Sequence, residues 1–231
     1  FQTLTLELAR VVNMLFTCVP GGEFIMGSDP KIDKDASNDE LPQHKVILSE
    51  YWIAKYPVTV EQFSTFVKLT GYKTVVEWKG SSFEYIGKQW RESDGLNWTR
   101  PGNNQNVRGK EQHPVTQICF EDAIAFCNWV TKIGKIQGVE NFWINLPTEA
   151  EWEKAARGTD GRLYPWGNEP PNRKYSNFNK HEGNTSEVGN KSPLGDSPYG
   201  CSDMSGNVYE WCSDWYDTRY YAESPYTDPT G

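Results

Sequence analysis

Asp203-Met204-Ser205-Gly206-Asn207-Val208-Tyr209-Glu210-Trp211-Cys212-Ser213-Asp214-Trp215 sets a carboxylate on either side of a Gly206-Asn207 turn. Glycine reaches backbone angles that side chains forbid, so such a bend turns its main-chain carbonyls inward. Carboxylates at Asp203 and Glu210 plus inward carbonyls form an oxygen-only shell, the environment that a hard cation such as calcium prefers. The competing reading is a plain turn whose acids cap backbone N–H groups. Tyr209, Trp211 and Trp215 follow at odd positions, a pattern that predicts a strand buried on one face. An irregular fold arranged around a metal-stapled knot is the expectation.

With 231 residues the chain has room for one large domain, taken as 1–231, and for a substantial core. Acidic groups outnumber basic ones by 31 to 23, a net charge of −8. That balance argues against nucleic acid and against anionic lipid as partners. Aromatic residues make up 14% of a chain only 37% hydrophobic, which favours a loop-rich domain with a core of rings. No apolar run is long enough to span a membrane. Glu7 and Arg10 interrupt the apolar start, so it does not read as a signal peptide. None of the cysteines (Cys18, Cys119, Cys127, Cys201, Cys212) shows C-x-x-C spacing, and the compartment, extracytoplasmic or cytoplasmic, stays open.

Leu4, Leu6 and Leu8 alternate with polar neighbours and predict a half-buried strand over Thr3 to Arg10. Phe16 to Val19 and Glu23 to Gly27 flank Pro20-Gly21-Gly22 and read as a hairpin. Strands are expected at His44–Leu48, Tyr51–Tyr56 and His113-Pro114-Val115. A first helix starts at Thr59 with a Thr59/Gln62 capping box, shows a Phe63, Phe66, Val67 stripe and ends at Gly71. A second, Glu121 to Val130, turns Cys127 to the core, where it reads as an inert packing residue. A third opens with Thr148 and Glu151 and closes at Gly158. Residues 73–112 show no periodicity, and their scattered Trp78, Trp90 and Trp98 suggest an ordered surface that either pins a long loop or binds a ligand.

Several motifs stand in order along the chain: Pro20-Gly21-Gly22-Glu23-Phe24-Ile25-Met26-Gly27-Ser28, Tyr56-Pro57-Val58-Thr59, His113-Pro114-Val115 and Leu146-Pro147-Thr148-Glu149-Ala150-Glu151-Trp152-Glu153. Ala155-Ala156-Arg157-Gly158, Tyr164-Pro165-Trp166-Gly167 and the stretch Asp203 to Trp211 complete the set. Together they resemble the formylglycine-generating enzyme, or sulfatase-modifying factor, family, from about residue 16 onward. The resemblance implies an α+β fold with little regular structure, a variant of the C-type lectin fold, with bound calcium. One calcium would sit at the side chains of Asp203 and Glu210 and the carbonyls of Gly206 and Val208. A second would use Asn177 and the carbonyl of Phe178, with further ligands within residues 182–184.

Enzymes of the family oxidise a substrate cysteine with molecular oxygen and copper(I). Two cysteines after an Arg-Gly-Gly-Ser-Trp motif hold that copper. This chain stops at Asp228-Pro229-Thr230-Gly231, before such a motif, so relative to the family it is expected to be C-terminally incomplete. Copper is expected only if that segment exists, and no catalytic residue is assigned. Cys201 and Cys212 fall outside the matching positions. The resemblance also implies that Cys127 can be half of a disulfide whose partner lies in that segment. Without it the sheet keeps an open edge, which another chain would cover.

Two functions follow. The first is a calcium-stabilised binding module that takes a protein or peptide ligand, with Trp90, Trp98 and Arg100 as ligand-binding residues. The second is a formylglycine-generating oxidase completed beyond Gly231. The iron-dependent sulfoxide-forming branch of the family needs a histidine cluster, and only His44, His113 and His181 occur here.

Overall fold

The computed structural model of the protein describes residues 2–102, 105–138, 142–179 and 184–231. The leucines of the first segment do alternate: Leu6 and Leu8 of β1 (Thr3–Ala9) are buried while Thr5 and Glu7 face solvent. β1 runs antiparallel to β2 (Val12–Val19), and β5 (Tyr51–Ala54) pairs with the other side of β2. The strand order is β1-β2-β5, so β5 is an edge strand.

The hairpin expected across Pro20-Gly21-Gly22 does not form. β3 (Gly22–Met26) pairs with β4 (His44–Leu48) in a sheet of its own. The reason is a long-range partner. The buried Lys154 ammonium donates to the carbonyls of Pro20 and Gly22 at 2.8 and 2.9 Å, so the turn hands the chain from one sheet to the next.

The three helix starts follow local chemistry. Thr59 caps α1 (Val60–Thr70) reciprocally with Gln62, and Gly71 ends it in the left-handed region. α3 extends over Phe120–Ile136, beyond the expected span, because its apolar face continues and Gly134 fits beneath Phe142. A methyl there would lie 2.0 Å from that ring. Thr148 and Glu151 cap α4 (Glu149–Arg157), and Gly158 follows it.

Residues 73–112 are more regular than expected. Thr74 and Glu77 form a further capping box on α2 (Val75–Lys79). After it, β6 (Ser81–Ile86) and β7 (Gln89–Asp94) form a hairpin about Gly87-Lys88. The strand expected at His113–Val115 is a single bridge, Thr59 to Pro114. The strand expected behind the acidic bend is absent as well: residues 208–215 carry no strand, Tyr209 and Trp211 are exposed, and Trp215 is 88% exposed. Alternation builds a buried strand only where a partner strand receives it, and none is paired here. A short α5 (Tyr220–Glu223) then places Tyr221 against β3 and β4.

The architecture is therefore a mixture of helices and three small sheets joined by long irregular segments. Rings dominate the main core: Phe63, Phe66, Phe126 and Trp129 interlock with centroids 5.4–6.0 Å apart. A second core under Phe24, Val46 and Tyr221 and a third around Val19, Ala155 and Cys201 carry α4 between them.

Candidate functional site

The bend that opens the sequence is a tightly folded polar knot. Asp203, Gly206 and Asn207 all have positive φ, 62°, 104° and 64°. At Gly206 the bend presses on residues 176–177 so closely that a Cβ would meet Ser176 Oγ at 2.3 Å and the Asn177 carbonyl at 2.6 Å. The Asn207 amide donates to that carbonyl at 2.8 Å, and Ser176 Oγ donates to the Ser205 carbonyl. The Asn207 side chain accepts from Ser186 N at 2.9 Å and donates back to the Ser186 carbonyl at 3.2 Å. Asn177 Nδ2 donates to the Asn184 carbonyl at 2.8 Å. The Gly206-Asn207 bend and the Asn177 segment are thus joined by hydrogen bonds.

Both acids of the bend are perturbed by their surroundings. Asp203 is largely enclosed, and burial pushes its carboxyl up while the Gly189 amide, 2.7 Å away, pulls it down. Glu210 opens into a groove, yet the protein around it drives its carboxyl up to about 7. Trp152 Nε1, donating at 3.4 Å, lowers it, and the charge of Asp203 raises it again. Among the described residues no basic side chain contributes to the shift of Glu210. Among the described residues no three His, Cys, Asp or Glu side chains form a metal-binding group, so any ion here would depend on carbonyl and amide oxygens as well. The donor set fits calcium on its chemistry: two carboxylates, a glycine bend and an adjoining Asn177, all oxygen. Of the region 182–184, only Asn184 lies within the described residues.

Beside the knot, a groove of ≈ 950 Å³ runs along the free edge of β5. Trp52, Trp143, Trp152, Tyr209 and Trp211 stand around it, and Thr230 lies at its margin. Glu151 and Glu210 are its charged lining residues. Trp211 is held by a 2.9 Å bond from its Nε1 to the Ile118 carbonyl and by an edge contact with Phe120. β5 is thus bordered by a ring-lined groove.

Trp90, Trp98 and Arg100 do not come together on the surface. Trp90 is exposed on β7, and the Arg100 side chain lies against Gly95 in a neighbouring turn. Trp98 is only 7% exposed and packs on Phe63 at 5.5 Å, which makes it a core residue rather than an exposed recognition ring.

Residues 7–229 match the sulfatase-modifying factor enzyme 1-like domain, FGE-sulfatase. The chain belongs to the FGE-sulfatase family. It is 36% identical to a formylglycine-generating enzyme of Streptomyces coelicolor over 92% of its own length and 73% of that protein's. It is also 32% identical to a mouse protein named inactive C-alpha-formylglycine-generating enzyme 2, over 91% of this chain and 72% of that one. The solved structure of PvdO from Pseudomonas aeruginosa superposes with a TM-score of 0.74 at 23% identity, covering 97% of this chain and 78% of that one, a likeness of fold.

Within this FGE-sulfatase domain all five cysteines are free. Burial is the main cause that raises every thiol, Cys119, Cys201 and Cys212 to about 12 and Cys127 to about 11. Cys18, Cys127 and Cys201 are buried, whereas Cys119 and Cys212 are partly exposed and the Cys119 thiol donates to Asp122 Oδ2 at 3.0 Å at the start of α3. Sequence reasoning missed the groove's far wall, Trp52 and Trp143. Their exposure follows from what faces β5 in space, which no local pattern encodes.

Proposed function

We propose that this FGE-sulfatase domain is a calcium-stabilised binding module of C-type-lectin-like build that receives an extended polypeptide segment in the groove beside β5. The groove carries this reading: an edge strand, several aromatic rings and a volume of ≈ 950 Å³ with Glu151 and Glu210 as its charged lining residues. An extended segment adds main-chain hydrogen bonds to such an edge while the rings supply side-chain contacts. Calcium at Asp203, Gly206, Val208 and Glu210, and a second ion at Asn177 and the Phe178 carbonyl, would hold the groove's floor. These ions would neutralise the paired acids and fix the bend; the protein's own part is to orient Tyr209 and Trp211.

Selection from displayed random peptides, followed by hydrogen exchange on the complex, tests the reading. Bound peptide is expected to protect the amides of Tyr51–Ala54, and Trp211→Ala is expected to weaken binding by about tenfold or more. Peptides that leave β5 unprotected would contradict it.

A second reading rests on the 36% identity to the Streptomyces coelicolor enzyme. Here the domain is the larger part of a formylglycine-generating oxidase whose copper-binding cysteines follow Gly231 and whose own continuation, or another chain, fills the groove. Encoded cysteines after a Gly-Gly-Ser-Trp sequence, with copper-dependent oxygen uptake on a cysteine peptide, would establish that reading.

A further inference from the structure

The geometry points to a second binding site, centred away from the groove and from Asp203 and Glu210, that takes a neutral saccharide ring in the pocket between the β6–β7 hairpin and residues 101–102 and 105–117. It meets the groove at Pro114 and is bordered by Asn184 and Thr185, which adjoin the bend through Asn177. The pocket measures ≈ 280 Å³, room for about one ring and too short for a polypeptide segment. Phe83, Tyr85 and Trp90 line it, and Trp90 remains 65% exposed. Three large rings kept near solvent on a two-stranded hairpin contribute little to the core, which marks them for recognition.

Tyr85 and Trp90 stand with centroids 5.4 Å apart at 62°, an open corner rather than a parallel slot. A sugar ring lays its C–H face on one aromatic wall and presents its hydroxyls sideways.

Polar groups for those hydroxyls also line the pocket: His113, Thr116 and Gln105, whose Oε1 already accepts from Asn184 Nδ2. His113 Nδ1 is engaged with Thr185 Oγ1 at 3.0 Å, which orients the imidazole. One cation, Lys110, and one anion, Glu84, line the pocket, so it favours neither an acidic nor a basic ligand.

The frame is rigid. Gln117 sits at φ 60°, a conformation unusual for a residue with a Cβ. Its amide donates to the carbonyls of Phe83 and Pro101 at 3.0 and 3.1 Å and accepts from Ser82 Oγ at 2.6 Å. That single side chain locks the hairpin against the opposite wall. Pre-organisation of this kind lowers the ordering cost of binding.

Saturation-transfer NMR on the whole chain tests the site, using the methyl glycosides of glucose, galactose, mannose and N-acetylglucosamine. At least one is expected to bind in the millimolar range, to persist after calcium chelation, and to lose about tenfold in affinity in Trp90→Ala but not in Trp211→Ala. Trp90→Phe, which keeps a ring, should retain binding. The inference is overturned if none of the four binds, if Trp90→Ala binds as well as the parent, or if chelation abolishes binding while the fold persists. Displacement of the sugar by a groove-bound peptide would overturn it too.

Discussion

Gly206 shows how much one residue decides. A methyl there would collide with Ser176 Oγ and the Asn177 carbonyl, at a φ that L side chains rarely adopt. Gly206→Ala is therefore expected to destabilise the fold by about 2–4 kcal/mol, from overpacking and left-handed strain together, measured by urea unfolding. His113 bears on pH. Its pKa is lowered, first by burial and then by Lys110, so the folded state prefers the neutral ring. The unfolded chain then binds more protons below the ordinary value of 6.5, and this contribution is present above that pH and lost on acidification. His113→Gln should flatten the loss of stability below about pH 6.5 relative to the parent, read from melting temperatures across pH. The tight bend at Gly206-Asn207 was legible from residue type, because a Gly-Asn turn is local chemistry. The partnership of Lys154 with the carbonyls of Pro20 and Gly22 was not, since it joins positions more than a hundred residues apart.

At the scale of elements, local signals served well wherever both halves of an interaction lie within one turn. The Thr59/Gln62 and Thr148/Glu151 boxes begin helices where the spacing says they should. Thr148→Ala is expected to cost about 1 kcal/mol and to loosen α4, whose Glu153 and Lys154 tie two sheets together through Gly27, Pro20 and Gly22. The same box at Thr74 and Glu77 went unread because the helix behind it is only five residues long. The β6–β7 hairpin turns through Gly87 and Lys88, both with positive φ. Lysine is an unusual second residue for such a turn, so the hairpin lacked its common Asn-Gly signature. The pattern Tyr209, Trp211, Trp215 misled for the opposite reason. Alternation was present, but its rings face an open channel and solvent instead of a neighbouring strand.

At the scale of the molecule, irregular segments hold together because polar knots and ring clusters replace long ladders. The mixed, loop-rich class was readable from composition: few aliphatic runs, many rings, many glycines. The groove was not legible, because it depends on how segments 142–148 and 208–213 face β5. The account rests on calcium at the bend, whose Val208 and Glu210 line the groove. Calcium titration of chelator-treated protein, followed by thermal melting, tests it most directly. A raised melting temperature of about 5–10 °C at roughly a hundredfold excess over Kd is expected for the parent and none for Asp203→Ala. Identical melting of the parent with and without calcium would contradict the claim.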